Sequence, residues 1–354
     1  MKPWEKNVRK VVPYTPGEQP DRPNMIKLNT NENPYPPSPG VARVLKELDP
    51  DSLRRYPDPG AEVLVHALAE YLGVSKQQVF VGVGSDDVLA MSFLTFFNSE
   101  KPILFPNITY SFYDVWAGLF QIPFECPALD KEFRICTEDY FRDCGGIVIP
   151  NPNAPTGLEK SLEELEEIIR KNSEVIVIID EAYIDFGGTS ALSLLPKYEN
   201  LLVVQTFSKS RSLAGMRIGY AIGNEKLIQY LNDVKYSFNS YTMSAAALAA
   251  GVEAVRDDTY FRETLQKIIN TRERTKKELH RLGFSFPDSR SNFIFATHRD
   301  CPAEELYEAL KQADIYVRYF RKPGIDNYLR ISIGTEEQMD ELIRFMEHYL
   351  GERL

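Results

Sequence analysis

The sequence has 354 residues, of which 43% are hydrophobic and 26% are charged, a composition typical of a soluble globular protein. At this length, one large domain with a smaller second domain is the simplest organisation, and it can enclose a cofactor. The 51 acidic residues outnumber the 41 basic ones, and no cluster of Lys and Arg stands out. Nucleic acids and anionic membranes are therefore poor candidates for partners.

The cysteines and histidines indicate neither a disulfide framework nor a metal site. The four cysteines include no C-x-x-C pair, and the four histidines lack the spacing that places two of them on one helical face. Residues 1–14 lack the apolar centre of a signal peptide, and no apolar run approaches ~18 residues, the length that spans a bilayer. These features predict a cytoplasmic protein with reduced thiols and no metal ion.

Residues 1–39 predict an N-terminal arm that packs with the small domain. Pro and Asn are dense in Pro13–Pro39, which favours an extended, turn-rich chain over regular structure. Helical periodicity follows at Gly40–Leu48 and Ala61–Tyr71, and Gly73 is expected to end the second helix.

Residues 40–240 predict a large α/β domain. Six short apolar runs are rich in β-branched residues, which suits a parallel sheet buried on both faces. They are Val79–Val83, Ile103–Phe105, Gly146–Ile149, Val175–Ile179, Leu201–Val204 and Ile218–Ile222. The stretch Leu158–Lys171 has the apolar stripe of a helix that crosses between parallel strands. This alternation is typical of a doubly wound, mostly parallel sheet.

Residues 241–354 predict a smaller α+β domain. Two helical patterns come first, followed by three short strands. The helices are expected at Ala245–Val255 and Phe261–Leu282, and the strands near Asn292–Ala296, Tyr316–Arg318 and Leu329–Ile333.

Ligands of open α/β sheets bind at the carboxyl ends of the strands, so the residues after each apolar run are the first candidates. Gly84, Ser85 and Asp86 form a turn into a helix, whose free N–H groups would suit a phosphate. The same turn could equally be a helix N-cap. The glycines at Gly82 and Gly84 lack the third glycine of a dinucleotide fingerprint, so an NAD site is not supported.

Two further strand ends carry polar side chains. Asn151–Gly157 places amides and prolines after one strand, although such residues are also common in ordinary turns. Asp180 ends the next strand, where a buried carboxylate is costly unless it meets a positive partner such as a protonated ring nitrogen. The alternative is that Asp180 caps the following helix.

The fourth strand end carries Thr206, Ser208 and Lys209, and Arg217 follows eight residues after the lysine. A loop lysine is usually just solvated. Here two hydroxyls and an arginine are close enough in sequence to share one phosphate beside it. This combination is far more specific than any of its parts.

Together these motifs resemble the fold-type I aminotransferases, which use pyridoxal 5′-phosphate, and the resemblance covers essentially the whole chain. The motifs are N-P-x-x-P-T-G at 151–157, D-E-A-Y at 180–183, S-K at 208–209 and A-G-x-R at 214–217. Four further segments resemble the histidinol-phosphate aminotransferase family in particular: Leu28–Pro34, Arg55–Pro57, Phe238–Asn239 and Leu329–Thr335.

The resemblance implies roles for the residues of these motifs. Lys209 would hold the cofactor as a Schiff base and act as general base, Asp180 would keep the ring nitrogen protonated, and Tyr183 would bond the ring hydroxyl. Tyr110 would stack on the ring, although a tyrosine at this place is more often simple core. The phosphate would sit among Gly84, Ser85, Asp86, Thr206, Ser208 and Arg217.

The resemblance also implies a homodimer and a substrate site. Tyr56 would reach the cofactor of the neighbouring subunit, and the arm around Tyr14 would close over the substrate. The substrate would be bound by Tyr14, Asn31, Arg318 and Arg330, with the two arginines on its anionic group. The alternative for each arginine is a surface salt bridge of little energetic value.

One position departs from the family pattern. The family commonly has Asn directly before Pro-Thr-Gly, where it bonds the ring hydroxyl of the cofactor, and this sequence has Ala154 there. Asn153 is the candidate to take over that hydrogen bond.

The implied reaction transfers the amino group of L-histidinol phosphate to 2-oxoglutarate, giving imidazole acetol phosphate and L-glutamate in histidine biosynthesis. Two alternatives share several of the same signatures: an aromatic amino acid aminotransferase and a pyridoxal-phosphate decarboxylase acting on an amino-acid phosphate. A third alternative, a non-catalytic α/β binding or regulatory protein, would bind no cofactor.

Overall fold

Two β-sheets and ten α-helices make up the computed structural model, which describes residues 2–352. The helices are α1 Pro39–Lys46, α2 Glu62–Leu72, α3 Gly84–Phe96, α4 Tyr113–Phe120, α5 Leu162–Lys171, α6 Glu225–Phe238, α7 Ala245–Arg256, α8 Asp258–Arg281, α9 Ala303–Gln312 and α10 Glu336–Gly351. The strands are β1 Ile26–Leu28, β2 Val79–Gly82, β3 Ile103–Leu104, β4 Phe124–Glu125, β5 Gly146–Pro150, β6 Val177–Asp180, β7 Leu201–Thr206, β8 Gly219–Gly223, β9 Phe284–Ser285, β10 Phe293–His298, β11 Ile315–Tyr319 and β12 Leu329–Ser332.

The larger sheet has seven strands in the order β2-β8-β7-β6-β5-β3-β4. Neighbours from β7 to β4 pair in parallel, and β8 pairs antiparallel with both β7 and β2. Because β8 alone runs in the opposite direction, its amino end lies at the same edge as the carboxyl ends of the other strands. That edge gathers Asp180, Thr206 and the residues that precede β8, among them Arg217.

Apolar side chains of this sheet are buried on both faces, as the continuous β-branched runs predicted. Phe80 and Ile178 point into a core formed with α3, α4 and α6. Val79 and Val81 pack with α1, α2 and α7, while Ile179 packs with α5 on the same side of the sheet. Helices thus cover both faces of a mostly parallel sheet, and the predicted fold class is confirmed.

The smaller sheet has five strands in the order β1-β11-β12-β10-β9. One of its faces packs on α8, α9 and α10 through residues such as Val317, Leu329 and Ile331. Since side chains alternate along a strand, Arg318 and Arg330 project from the opposite face. The alternation therefore directs both arginines away from the helical core.

Several elements differ from the predicted pattern. The arm contains β1, which pairs in parallel with β11 of the small sheet. This strand was missed because three residues between Pro- and Asn-rich stretches give almost no periodicity. Strand β4 was not predicted because two residues are too few to show an alternating pattern. Helix α7, predicted within the C-terminal domain, packs against α1 and α2 in the core of the large sheet.

The end of α2 matches its prediction. Gly73 adopts a left-handed conformation with φ of 68° and donates its N–H to carbonyls of the last helical turn. Among residues 2–352, no helix is long and apolar enough to cross a membrane.

Candidate active site

Two adjoining cavities lie at the carboxyl edge of the large sheet, where it faces the small sheet. They measure about 240 Å³ and about 180 Å³. Both are lined by Thr30, Tyr110, Ala154, Tyr183 and Lys209. The shared lining makes them two compartments of one cleft, with the large sheet behind the first and the two small-sheet arginines in the second.

One end of the first cavity is a cradle for an anion. Ser85 and Asp86 stand in the first turn of α3, where backbone N–H groups have no partner within the helix. Thr206 and Ser208 line the same end. The Thr206 hydroxyl donates to the carbonyl of Ile218 at 3.3 Å, and Arg217 donates from Nη1 to the Ser208 hydroxyl at 3.3 Å. A helix terminus, the Ser208 hydroxyl and a guanidinium are the kinds of donor that bind a phosphate.

Two glycines allow this cradle to close. Gly84 has a φ of 84°, and a Cβ built on it would lie 2.4 Å from Arg217 Nη2. A Cβ on Gly219 would lie 2.2 Å from the backbone nitrogen of Ser85. The start of α3 therefore approaches Arg217 and β8 more closely than any larger residue would permit. Gly84 shapes the cradle by having no side chain and does not itself line the cavity.

Asp180 sits at the end of β6 in the first cavity and is almost fully buried. Its carboxylate accepts a hydrogen bond from the Tyr113 hydroxyl at 2.6 Å and another from the Ala182 N–H at 3.2 Å. Burial raises the pKa of Asp180 to about 6, against the lowering effect of those two bonds. A cationic group in the cavity would restore the ionised carboxylate.

Lys209 projects into the middle of the cleft. Its Nζ donates to the carbonyl of Thr30 at 3.0 Å and lies 5.8 Å from the centre of the Tyr183 ring. Asn33 of the arm donates to the carbonyls of Lys209 and Ser210, which fixes the lysine's backbone. Among the residues described, Lys209 is the one amine that lines the first cavity, which Asp180 and the anion cradle also line.

Tyr110 forms part of the wall between the two cavities. Its hydroxyl donates to Asp86 at 2.7 Å, and burial together with that carboxylate raises the pKa of Tyr110. Asp86 also pairs with Arg217 at 3.3 Å. Its carboxylate is therefore already engaged by protein donors, and its backbone N–H is the group left to bind an anion.

The second cavity carries two arginines without an acidic partner. Arg318 and Arg330 are directly opposite each other on β11 and β12, and neither takes part in any ion pair within residues 2–352. Arg330 donates from Nη2 to the carbonyl of Asn29, while its Nε is buried without a partner. Burial and the neighbouring Arg318 lower the pKa of Arg330. The surface salt bridge considered for these residues is not formed.

Asn153 does not line either cavity, contrary to its predicted role. It is buried, its amide oxygen accepts from the Thr109 hydroxyl, and its amide nitrogen donates to the carbonyl of Ile108, each at 3.0 Å. Both ends of the amide are thus used to hold the loop. Ala154 lines both cavities, Pro152 lines the first and Pro155 lines the second.

Two predicted aromatic residues lie in different surroundings. Tyr14 lines the second cavity and stacks on Phe112 with ring centres 4.2 Å apart. Tyr56 is 82% exposed, stacks on Tyr241 and lies outside both cavities. Within this chain Tyr56 therefore has no contact with the predicted cofactor site.

Two contributors to the cleft were not predicted from the sequence. Tyr113 supplies the shorter hydrogen bond to Asp180, and it lies three residues after Tyr110 at the start of α4. Thr30 holds Lys209 through its backbone carbonyl, which no side-chain pattern could have revealed. In residues 2–352, no cluster of His, Cys, Asp or Glu could hold a metal ion.

Comparison with known proteins identifies the family. Residues 23–346 match the family described as aminotransferase class I and II. The chain belongs to this family. It is 52% identical over 347 residues to the histidinol-phosphate aminotransferase of Lactococcus lactis subsp. cremoris, covering 98% of each chain. It is 53% identical over 343 residues to the enzyme of the same name from Brachyspira hyodysenteriae, covering 97% of each.

Solved structures share the fold. A histidinol-phosphate aminotransferase from Clostridium acetobutylicum has a TM-score of 0.85 at 24% identity, covering 93% of this chain and all of the other. The Sinorhizobium meliloti protein of the same name, in complex with pyridoxal-5′-phosphate, has a TM-score of 0.84 at 22% identity, covering 93% and 92%. The predictions of an aminotransferase family and of a fold-type I architecture are thus confirmed.

Proposed function

We propose that this protein is a pyridoxal-phosphate aminotransferase that converts L-histidinol phosphate and 2-oxoglutarate into imidazole acetol phosphate and L-glutamate. This substrate is supported by relatives that are about half identical to this chain over nearly its whole length and are named histidinol-phosphate aminotransferase. The observation that carries it within the chain is the pair of arginines, Arg318 and Arg330, opposite each other without a carboxylate in the second cavity.

Like charges placed directly opposite each other on neighbouring strands destabilise a sheet, so a doubly charged anion between them is the natural ligand. L-Histidinol phosphate has no α-carboxylate, and its phosphate is the group available to these guanidinium groups. A phosphate dianion can accept from two guanidinium groups at once. A free aromatic amino acid would present one negative charge to the same pair.

The first cavity fits pyridoxal phosphate by its donor set. Its phosphate would be held by the first turn of α3 with Thr206, Ser208 and Arg217, and its ring nitrogen by Asp180. When bound, the cofactor supplies an aldehyde that condenses with amines and a ring that withdraws electrons from the substrate's Cα. Tyr110 borders the same space and offers an aromatic face to the ring.

The chain's own residues would perform three tasks. Lys209 Nζ would hold the cofactor and would move the proton of the substrate's Cα. Asp180 would keep a proton on the ring nitrogen, because an ionised carboxylate in a buried site stabilises an adjacent cation. Tyr183 lines both cavities and offers its hydroxyl to the ring oxygen.

A homodimer, a cytoplasmic location and the domain limits at 39 and 240 stay predictions. The dimer is supported by five exposed aromatic side chains, of which Tyr56 and Tyr241 stack on each other, because aromatic residues are enriched at protein–protein interfaces. The five are Tyr56, Tyr230, Tyr236, Phe238 and Tyr241. In the dimer Tyr56 would approach the neighbouring subunit's cofactor.

The experiment that tests the cofactor assignment is borohydride reduction of the purified protein followed by peptide mass spectrometry. We expect one pyridoxyl group, attached to Lys209. Attachment to any other lysine would contradict the assignment. A Lys209→Ala variant serves as the control and should remain unlabelled.

The substrate is tested by incubating the protein with L-histidinol phosphate and 2-oxoglutarate and measuring L-glutamate. We expect glutamate in proportion to substrate consumed, with histidinol, phenylalanine and tyrosine used much less well. A preference for phenylalanine would replace the proposed substrate and keep the aminotransferase. Release of CO₂ without glutamate would instead indicate a decarboxylase, a function named for a structure with the same fold from Porphyromonas gingivalis.

A further inference from the structure

Asn31 of the arm connects the small sheet to Tyr183. Its amide nitrogen Nδ2 donates to the Tyr183 hydroxyl at 2.9 Å. Its backbone carbonyl accepts from the Asn292 amide at 2.9 Å, and the residue is 1% exposed. Asn31 has a φ of 57°, a left-handed conformation that asparagine tolerates better than most residues. Asn31 is thus fixed by hydrogen bonds to Tyr183 and to Asn292.

The orientation of this amide is determined by Ser332. The Ser332 hydroxyl accepts from the backbone N–H of Asn31 at 2.9 Å and donates to the Asn31 Oδ1 at 3.0 Å. Because a hydroxyl has one proton, accepting the first bond leaves that proton for the second. The amide oxygen is therefore turned toward Ser332, and the NH₂ group is turned toward Tyr183.

This arrangement decides what the Tyr183 hydroxyl can do. A phenol has one proton to donate, and here it accepts from Asn31, so its own proton is left for another acceptor. Within residues 2–352 no hydrogen bond takes up that proton, and Tyr183 lines both cavities. Ala154, at the position where the family commonly has Asn, offers the cleft only a methyl group.

We propose that Asn31 is a positioning residue, which commits the Tyr183 proton to the ring oxygen of the cofactor and so compensates for the amide that is missing at Ala154. This proposal rests on the proposed function. It also adds to the predicted role of Asn31, which lines the second cavity and whose amide donates to the Tyr183 hydroxyl.

The test is the absorbance of the bound cofactor as a function of pH. A donor to the ring oxygen stabilises its negative charge and weakens its bond to the protonated Schiff base. Losing that donor should move the midpoint of the absorbance change upward. We expect Tyr183→Phe to raise the midpoint by about one pH unit, and Asn31→Gly to raise it by a smaller amount. Glycine is chosen because it also adopts the left-handed backbone.

The control is Asn29→Ala. Asn29 lies in the same arm segment, is 2% exposed, and donates its amide to the carbonyl of Glu18 at 2.7 Å, away from Tyr183. It loses a comparable buried hydrogen bond and should leave the midpoint unchanged. If both asparagine variants moved the midpoint equally, the effect would be one of general stability and the proposal would fail.

The double variant Asn31→Gly/Tyr183→Phe gives the sharpest result. If Asn31 acts through Tyr183, its replacement should cause no further shift once the phenol is gone. An additional shift equal to that in the unmutated background would overturn the proposal. Should Asn31→Gly bind the cofactor too weakly to titrate, Ser332→Ala releases the amide orientation and should raise the midpoint in the same direction. An unchanged midpoint in Ser332→Ala would then overturn the proposal.

Failure of this inference can be told apart from failure of the proposed function. A protein without cofactor absorbance, or with pyridoxyl on a residue other than Lys209, would contradict the proposed function itself. A normal absorbance in every variant with an unchanged midpoint in Asn31→Gly would contradict only the positioning role.

Discussion

On the large-sheet wall of the cleft, Asp180 is buried with two protein donors, whereas on the small-sheet wall Arg318 and Arg330 face each other without an acceptor of opposite charge. Burial raises the pKa of Asp180 and lowers the pKa of Arg330, so both walls disfavour their charged forms. The difference lies in the partners that the chain supplies. Asp180 on the first wall already has two hydrogen-bond donors from the protein. The arginine pair on the second wall has no carboxylate partner and needs an anion.

This contrast shows which ligand each wall is built for. The hydrogen bonds from Tyr113 and Ala182 orient Asp180 toward the cavity, and one cation would complete its surroundings. The arginine pair instead keeps donors unused, among them the buried Arg330 Nε. A buried hydrogen-bond donor without an acceptor lowers the stability of a folded protein. Such donors in a cleft therefore indicate that a bound ligand supplies the acceptor.

The largest effect is expected from breaking the arginine pair. Arg330→Ala should lower kcat/KM for L-histidinol phosphate by two to three and a half decades, since losing one partner of a buried charge pair costs about 3–5 kcal/mol. The control is Arg321→Ala, because Arg321 is 68% exposed in its pair with Glu304. That variant should lose less than about one decade. Similar losses in both variants would remove the special role of the pair.

Replacing Asp180 tests the other wall. The Asp180→Asn variant should retain the cofactor, because the cradle around Arg217 is unchanged, and its kcat should fall by about 10²–10³-fold. Cofactor content measured by absorbance, together with single-turnover rates, separates binding from chemistry. Near-normal turnover in this variant would contradict the role of Asp180 as the partner of the ring nitrogen.

The same carboxyl should make the cofactor-free protein less stable at high pH. The folded pKa of about 6 lies above the unfolded value of 3.8, so between these values the folded chain binds more protons. Stability therefore falls as the pH rises through this window, by roughly 3 kcal/mol in total. Cofactor-free Asp180→Asn should be more stable than the unmutated protein at pH 8.

Urea unfolding at several pH values measures this difference. The advantage of Asp180→Asn should shrink steadily as the pH is lowered toward 3.8. Glu181, whose pKa burial raises to about 7, titrates in both proteins and cancels in the comparison. A constant difference across the pH range would mean that Asp180 is not the group responsible.

The smallest effect on the cofactor is expected at Asn153. Asn153→Ala should leave the midpoint of the cofactor's absorbance titration unchanged, because this amide lines neither cavity and bonds Thr109 and Ile108. The free energy of unfolding should fall by about 1–3 kcal/mol, the cost of leaving buried polar groups unpaired. A shifted midpoint with unchanged stability would restore the role first predicted for Asn153.

Much of the large-sheet wall could be read from the sequence because its residues follow strands directly. Asp180, Thr206, Ser208 and Lys209 come at or just after buried apolar runs, and parallel strands deliver their carboxyl ends to one edge. Arg217 reaches the same edge for a different reason. It precedes β8, the single strand of opposite direction, and its own sequence carried no sign of that reversal.

The sequence by itself determined the alternation of strands and helices, the residues at the strand ends and, through its motifs, the family. Local chemistry is sufficient there, because periodicity and turn residues act over a few positions. Only the tertiary structure decided that Asn153 turns away from the cleft, that Asn31 meets Tyr183 across 152 positions, and that Arg318 and Arg330 are cross-strand partners. Such contacts depend on which strands pair and which way an amide faces, and these are properties of packing between distant segments.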